Sequence, residues 1–306
     1  MNAIETRGLS KQFGTYKAVN ELNLTVPTGS ICGFLGRNGA GKTTTIKMLV
    51  GLAKPTDGEI SLMGTKRKFG YCDNSNIGYL PDVPNFYSYM TATEYLDFCG
   101  RLYNMENKKR QGRIEALLKQ VDLFGTKTKI AGFSRGMKQR LGIAQALMNE
   151  PDVIFLDEPV SALDPIGRHE LINIVRSLRG SVTVFLSTHI LSDVENLCDY
   201  AVIIEKGKLL VEDTVENIKQ QHATDTASIK LCSAADSEKF MALMQTQAKL
   251  SVEELEPTKF LVRGMELRAL NKQIFPTLAQ GDIALESYHA HVPSLEDIFL
   301  EVTKHA

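Results

Sequence analysis

A stretch of nine residues near position 40 has the residue types and the spacing of a phosphate-binding loop. It fits the pattern G-x-x-x-x-G-K-[ST]. Glycines let the backbone curl so that successive amides point at a polyphosphate, while Lys42 reaches the β- and γ-phosphates and the Thr43 hydroxyl ligates Mg²⁺. The sequence therefore predicts an ATP-type nucleotide site with bound Mg²⁺. The expected phosphate contacts are Gly36, Arg37, Asn38, Gly39, Ala40, Gly41, Lys42, Thr43 and Thr44.

The residues on either side of the loop support the same interpretation. Residues 30–35 form a short apolar run that predicts a buried strand, and residues 44–50 predict a helix whose positive N-terminus faces the phosphates. The alternative is a glycine-rich turn that matches the pattern by accident. A strand before the loop and a helix after it disfavour that alternative.

An acidic pair follows a second apolar strand, which is predicted at 153–156. In phosphate-loop ATPases, a carboxylate that ends such a strand holds Mg²⁺ directly or through water. Two adjacent carboxylates are costly unless cations compensate them, and Mg²⁺ and Lys42 supply that compensation. We therefore expect Asp157 to hold the metal and Glu158 to face the water that attacks the γ-phosphate. The alternative is a surface acidic pair at a strand end.

Composition and charge exclude several classes of function. The chain has 306 residues, a formal net charge of −1 and an ordinary hydrophobic share of 43%, so no overall basic field favours nucleic acid or acidic lipid. No apolar run approaches the roughly 18 residues of a membrane span, and the first residues lack the pattern of a signal peptide. The five cysteines are scattered without a C-x-x-C pair, which favours a reducing compartment. We expect a cytoplasmic chain that reaches a membrane only through a partner.

The order of predicted elements indicates an α/β fold. Residues 2–35 are rich in predicted strands, residues 91–150 in predicted helices, and unbroken apolar strands then alternate with helices. This alternation predicts a mostly parallel sheet covered on both faces. We expect a nucleotide-binding domain over 1–220, with a helical subdomain at about 84–148, and a small α+β domain over 221–306.

Residues 133–140 resemble the signature of ATP-binding cassette (ABC) ATPases, whose consensus begins L-S-G-G-Q. Ser134 and Gly136 match this consensus, and a new helix is predicted to begin near Met137. A serine hydroxyl and a glycine amide at a helix N-terminus form a second anion site. In the family, this site caps the ATP of a second cassette, so the resemblance implies a homodimer. A simple helix cap, the alternative, needs only Ser134.

The remaining motifs of the ABC family occur in the correct order over about residues 2–215. The segment 161–164 resembles the loop that crosses the dimer interface, which implies a nucleotide-side role for Asp164. His189 resembles the switch histidine that contacts the γ-phosphate. Phe13, in a predicted loop, falls where the family has an aromatic residue that stacks on adenine; without this resemblance, local packing is the favoured interpretation of the ring.

Asp82 departs from the family pattern. It follows a predicted strand at 77–80 and Pro81, where the family often has a glutamine that binds Mg²⁺ or orders the attacking water. Asp82 can accept the same bonds with a shorter and fully charged side chain, so we expect it to be a metal ligand together with Thr43 and Asp157. Residues 83–87 are apolar and aromatic. In the family this region contacts the coupling helix of the membrane subunit; a cover for the helical subdomain is the open alternative.

The chain also resembles a particular class of ABC ATPases. Residues 293–303 resemble the ending of ATPases of the ABC-2 type, the drug- and bacteriocin-efflux class, and residues 34–38 and 136–142 support this assignment. The resemblance implies an ATP-hydrolysing subunit that drives a separate integral membrane permease, an exporter, at the cytoplasmic face of the cell membrane.

Two alternative functions compete with this interpretation. One is a non-transport ABC ATPase that acts on the ribosome or DNA; a single cassette, the absence of a long heptad insertion and the absence of a basic aromatic patch argue against it. The other is a nucleotide sensor that does not hydrolyse ATP, and the presence of Glu158 and His189 argues against it.

Overall fold

The computed structural model describes residues 1–70, 74–161, 163–222, 226–244, 250–263, 267–290 and 293–304. The chain divides into two compact units, Met1–Ile218 with Phe299–Ala306, and Lys219–Ile298. We propose that the nucleotide-binding domain ends near residue 220 and that a separate domain follows it. Across the described ranges, no helix has both the length and the apolar character that a membrane span requires.

The strands and helices up to residue 221 follow one another in this order. They are β1 (Asn2–Phe13), β2 (Tyr16–Pro27), β3 (Ile31–Leu35), α1 (Lys42–Leu49), β4 (Asp57–Leu62), β5 (Thr65–Lys66), β6 (Ile77–Leu80), α2 (Ala92–Leu102), α3 (Asn107–Gln120), α4 (Arg135–Ala146), β7 (Val153–Asp157), α5 (Pro165–Ser177), β8 (Thr183–Thr188), α6 (Leu191–Leu197), β9 (Tyr200–Glu205), β10 (Lys208–Thr214) and α7 (Val215–Gln221).

An antiparallel sheet with the order β2-β1-β4-β5 forms the β-rich N-terminal part. In β2, Leu22, Leu24 and Val26 are buried while the residues between them are exposed, because successive side chains of a strand point to opposite faces. Phe13 is the last residue of β1 and pairs with Tyr16 across the hairpin. The prediction that Phe13 lies in a loop is therefore wrong, since the two strands continue to the two-residue turn that joins them.

A second sheet, with the order β10-β9-β3-β8-β7-β6 among the described strands, forms the core of the larger unit. Its strands are parallel except for β10, which is antiparallel to β9. Every residue of β3, β7 and β8 is buried, as expected for strands covered on both faces. The carboxyl ends of β6, β7, β8 and β3 meet at one edge, where parallel α/β sheets bind ligands.

Helices α2, α3 and α4 form the helical part that follows β6 and contains the predicted signature segment. Helix α4 begins at Arg135, two residues before the predicted start at Met137, because Ser134 caps it by accepting a hydrogen bond from the Met137 amide. Thr91 and Glu94 cap α2 reciprocally. Each cap fixes the position at which its helix begins.

The second unit has the connectivity of a split β-α-β fold. Its elements are β11 (Thr226–Leu231), α8 (Ala234–Met244), β12 (Ser251–Glu256), β13 (Lys259–Arg263), α9 (Leu267–Gln280) and β14 (Leu285–Ala290), and α10 (Leu295–Lys304) follows. The antiparallel sheet order is β12-β13-β11-β14, which is the ferredoxin-like arrangement. Ile229, Phe240, Phe260 and Ile274 are fully buried in its core.

Candidate active site

The phosphate-binding loop joins β3 to α1, as the sequence pattern predicts. Lys42 is the first residue of α1 and is buried, and its Nζ atom donates hydrogen bonds to the carbonyl oxygens of Gly36 at 2.7 Å and Arg37 at 3.4 Å. These hydrogen bonds connect the first residue of α1 to the start of the loop. Gly41 caps the helix with φ = +106°, and a Cβ atom there would lie 2.5 Å from the Ala18 carbonyl oxygen. Only glycine fits this position without strain.

A cleft of about 420 Å³ opens over this loop. Its walls include loop residues 37–39 and 41–44, and Asp82, Glu158 and His189 reach it from three other segments. Ala40 and Gly36 contribute to the loop but are not among the described residues of the wall; Ala40 is buried. Basic, amide and acidic groups therefore converge where the terminal phosphates of a nucleotide would lie.

Asp157 ends β7 directly below the cleft. Its Oδ1 atom accepts hydrogen bonds from Ser187 Oγ at 2.7 Å and from Thr43 Oγ1 at 3.2 Å. Burial raises the pKa of Asp157; these two hydrogen bonds oppose the rise, and the charges of Glu158 and Asp82 add to it. A carboxylate in this position is stabilised by a nearby cation.

Glu158 lies between a lysine and a histidine. Its Oε1 atom is 3.2 Å from Lys42 Nζ, and its Oε2 atom is 2.9 Å from His189 Nδ1. The Glu158 backbone has φ = +48°, a left-handed conformation that is costly for a non-glycine residue. Its amide donates to Ser187 Oγ at 2.9 Å, so the strained residue is held from both backbone and side chain.

The oxygen donors at the loop fit a magnesium ion. Thr43, Asp157 and Asp82 supply hydroxyl and carboxylate oxygens, which this hard cation prefers. Asp82 Oδ1 is inaccessible to solvent and has no hydrogen-bond partner among the described residues, while Arg135 Nη2 lies 3.8 Å away. The described residues contain no cluster of three or more His, Cys, Asp or Glu side chains that could hold a metal alone. At a nucleotide site, substrate phosphates and water would complete the ligand set of Mg²⁺.

Three predicted nucleotide contacts lie outside the cleft of their own chain. Ser134 is exposed at the N-terminus of α4, and Gly136 is in the first turn of that helix. Asp164 is exposed and caps α5 by accepting a hydrogen bond from Gly167 N at 3.3 Å. Among the described residues that line the cleft, none of the three occurs. Ala162, in the predicted interface loop, lies outside the described residues.

Tyr16, about which the sequence analysis makes no prediction, lines the cleft, whereas Phe13 does not belong to the described lining. Phe13 is 55% exposed and does not belong to the described wall of the cleft, whereas Tyr16 does and its hydroxyl donates to the Gly39 carbonyl oxygen at 3.4 Å. Sequence reasoning missed Tyr16, although an aromatic residue three positions after Phe13 was a visible signal. The stacking role of Phe13 remains a prediction.

Ser187 is the second residue that sequence reasoning missed. It is fully buried and joins Asp157 to the Glu158 backbone. Its register partner in the sheet is Asp157, so its role depends on the pairing of β7 with β8. A polar residue near the carboxyl end of an apolar strand was the only local signal.

Comparisons with known proteins agree with this arrangement. A family profile described as "ABC transporter" matches residues 19–161. An uncharacterized ABC transporter ATP-binding protein of Bacillus subtilis, YxlF, is 36% identical over 98% of this chain and 99% of its own. The bacitracin transport ATP-binding protein BcrA of Bacillus licheniformis is 43% identical over 72% of each chain. The daunorubicin resistance ATP-binding protein DrrA3 of Streptomyces coeruleorubidus is 32% identical over 98% of this chain and 96% of its own.

A solved structure has the same fold. It is described as a dimeric post-hydrolysis state of the ATP-binding cassette MJ0796 bound to ADP and Pi, and it matches with a TM-score of 0.61 at 24% identity over 69% of this chain and 98% of its own. Fold and site thus define a phosphate-loop ATPase. The chain belongs to the ATP-binding proteins of ABC transporters, and the non-transport alternative is not favoured.

Proposed function

We propose that two copies of this chain bind two ATP molecules with Mg²⁺ at a shared interface and drive a separate export permease. The observation that carries the proposal is the position of the Glu158 carboxylate, between Lys42 Nζ at 3.2 Å and His189 Nδ1 at 2.9 Å in the cleft over the loop. A general base must lie within reach of the water that it activates, at the phosphate to be transferred.

Each side chain of a cleft has its own role in ATP hydrolysis. Lys42 and the loop amides bind the phosphates, and Glu158 orients and deprotonates the attacking water while His189 contacts the γ-phosphate. Thr43 and the carboxylates of Asp157 and Asp82 would hold Mg²⁺. When bound, this cation neutralises the charge that develops on the phosphate oxygens.

A second copy completes each site. Ser134 caps the 12-residue helix α4 and is exposed, Gly136 lies half-buried in its first turn, and neither belongs to the described wall of its own cleft. A helix N-terminus attracts anions, so the terminal phosphate bound by one copy is a suitable partner for the α4 terminus of the other. Asp164 caps α5, and Ile166, in the first turn of α5, is 70% exposed; we place both residues at the dimer interface.

A hydrophobic groove in the helical part provides the contact with the permease. Its volume is about 610 Å³, and its lining includes Tyr87, Phe98, Leu102 and Tyr103. Leu102 is 66% exposed and Tyr103 is 45% exposed, and exposed apolar patches of this kind mark interaction sites. The occupant is a cytosolic helix of the permease, which holds the chain at the cytoplasmic face of the membrane. The similarity to a bacitracin transport protein and a daunorubicin resistance protein supports an efflux role.

Glu158→Gln tests the proposed function directly. We expect ATP turnover to decrease by about 10²- to 10⁴-fold, because the general base is lost, while ATP and Mg²⁺ produce a dimer that persists during size-exclusion chromatography. Glu106→Gln, at an exposed position before α3, is the control and should leave both properties unchanged. Full turnover by Glu158→Gln, or the absence of any ATP-dependent dimer, would contradict the proposal.

A further inference from the structure

One face of α4 packs against the segment that carries Asp82 into the cleft. Arg135, Gln139 and Gly142 are spaced at i, i+4 and i+7, so they lie on the same face of this helix. Gly142 lies so near Leu80 that a Cβ atom on it would be 2.3 Å from the Leu80 Cδ1 atom. The end of β6 thus packs directly against α4, the helix that Ser134 caps.

Gln139 fixes the backbone of Asp82. Its side chain is 1% exposed, and its Nε2 atom donates a hydrogen bond to the Asp82 carbonyl oxygen at 2.9 Å. Because this hydrogen bond holds the Asp82 carbonyl group, it fixes the backbone position from which the Asp82 side chain extends beside the cleft.

Arg135 is the cation that faces the Asp82 side chain from the helix. Its Nη2 atom is 3.8 Å from Asp82 Oδ1, which is inaccessible and has no hydrogen-bond partner within the described ranges. The same carboxylate belongs to the wall of the nucleotide cleft. A guanidinium so close reduces the affinity of a carboxylate for a second cation, because the two positive charges repel each other.

We infer that Arg135 is a positioning residue for Asp82 and weakens the coupling between Mg²⁺ and nucleotide binding. This inference rests on the proposed function, in which Asp82 is one of the oxygen ligands of the metal. Without Mg²⁺, Arg135 neutralises a carboxylate that would otherwise repel the phosphates. With Mg²⁺, the same guanidinium opposes the metal. Both effects lower the gain in nucleotide affinity that Mg²⁺ provides.

The test measures this gain with the fluorescent, non-hydrolysable analogue mant-AMP-PNP on the full chain. The gain in affinity is the dissociation constant of the analogue in EDTA divided by its dissociation constant in excess MgCl₂. Both side chains are about half exposed, so we expect Arg135→Gln to increase the ratio about two- to fivefold, as for a partly solvated ion pair. Arg135→Lys retains the charge and should keep the ratio near that of the parent chain.

Two further variants separate this role from others. In an Asp82→Asn background, Arg135→Gln should no longer change the ratio, because the carboxylate through which it acts is gone. Lys127→Gln removes one positive charge from an exposed position between α3 and α4 and should leave the ratio unchanged.

Three outcomes would overturn the inference: an unchanged ratio in Arg135→Gln, an effect that persists with Asp82→Asn, or an equal effect in Lys127→Gln. A parent chain that binds the analogue equally with and without Mg²⁺ would instead contradict the proposed function. The two failures are therefore distinguishable.

Discussion

The Lys42 ammonium and the Glu158 carboxylate form an ion pair at 3.2 Å, with side-chain exposures of 6% and 13%. His189 Nδ1 contacts the other oxygen of the same carboxylate at 2.9 Å. The pair holds the phosphate-binding cation beside the proposed general base. Ion pairs this deeply buried are costly to break by removing one partner.

Lys42→Ala should both abolish nucleotide binding and destabilise the chain. Glu158 Oε1 then loses the ammonium group, since His189 contacts the other oxygen, Oε2, and a buried polar atom without a partner costs about 1–3 kcal/mol. Lys42→Ala combined with Glu158→Gln should recover part of this loss, because no buried charge is left unpaired. Thermal unfolding of the parent, the single variants and the double variant measures the coupling. Additive effects of the two substitutions would contradict a direct interaction.

Asp157→Asn should stabilise the chain without Mg²⁺ while it removes Mg²⁺-dependent hydrolysis. Burial raises the pKa of Asp157, so the unfolded chain releases this proton at lower pH than the folded chain does. The free energy of unfolding therefore decreases as pH rises from about 4 through the raised pKa, and it stays lower at neutral pH. Asparagine keeps an acceptor for Ser187 and Thr43 but carries no charge.

The measurement for Asp157→Asn is the melting temperature in EDTA as a function of pH. We expect an increase of about 2–4 °C at pH 7 for each kcal/mol gained, with a smaller difference below about pH 4. Asp152→Asn, at an exposed position before β7, serves as the control. A lower melting temperature for Asp157→Asn at neutral pH would show that the buried charge stabilises the chain even without a metal.

Two glycine-to-alanine substitutions should have opposite effects on stability. At Gly41, φ is +106° and a Cβ would lie 2.5 Å from the Ala18 carbonyl oxygen, so alanine must distort the loop and weaken nucleotide binding. At Gly112, inside α3, a Cβ atom would meet nothing within 4 Å beyond the helix's own backbone and its chain neighbours, and alanine should stabilise the helix by about 0.5–1 kcal/mol. Chemical denaturation and nucleotide titration of both variants check this, and equal effects would refute it.

Glutamate substitutions in the hydrophobic groove should uncouple the chain from its permease. Leu102→Glu with Tyr103→Glu places two charges on the exposed lining of the groove, and desolvating them would oppose docking. We expect co-purification with the native permease to be lost while ATP hydrolysis by the isolated chain is retained. Phe124→Glu, 56% exposed elsewhere in the helical part, is the matched control. Retained co-purification would place the contact on another surface.

The loop and the acidic pair could be predicted because the residues that perform their chemistry are close together in the sequence. The glycines, Lys42 and Thr43 act within nine residues, and an apolar strand before Asp157 is enough to place its carboxylate at a sheet edge. The contact of Ser187 with Asp157 could not be predicted, since it depends on β8 lying beside β7. Sequence order alone does not reveal which strands are neighbours.

Other parts of the structure escaped prediction for similar reasons. The pairing of Arg135 with Asp82 joins residues 53 positions apart, and it follows from the way α4 packs on β6. Strand β12 cannot be predicted from the sequence, because it is an edge strand with an almost fully exposed, acidic sequence and lacks the alternation that identifies half-buried strands. Tyr16 was overlooked because the family pattern directed attention to Phe13.

A mixing experiment tests the central claim, that Ser134 of one copy completes the site around Lys42 of the other. Neither Lys42→Ala nor Ser134→Arg alone should form an ATP-dependent dimer. In a mixed dimer, both lesions fall in one shared site, and the other site has an intact loop and an intact α4 terminus. The account predicts that mixing the two variants restores an ATP-dependent dimer that retains one nucleotide, against two for the parent chain. If mixing restores neither the dimer nor the nucleotide, while Ser134→Arg still binds ATP as a monomer, the shared-site account is contradicted.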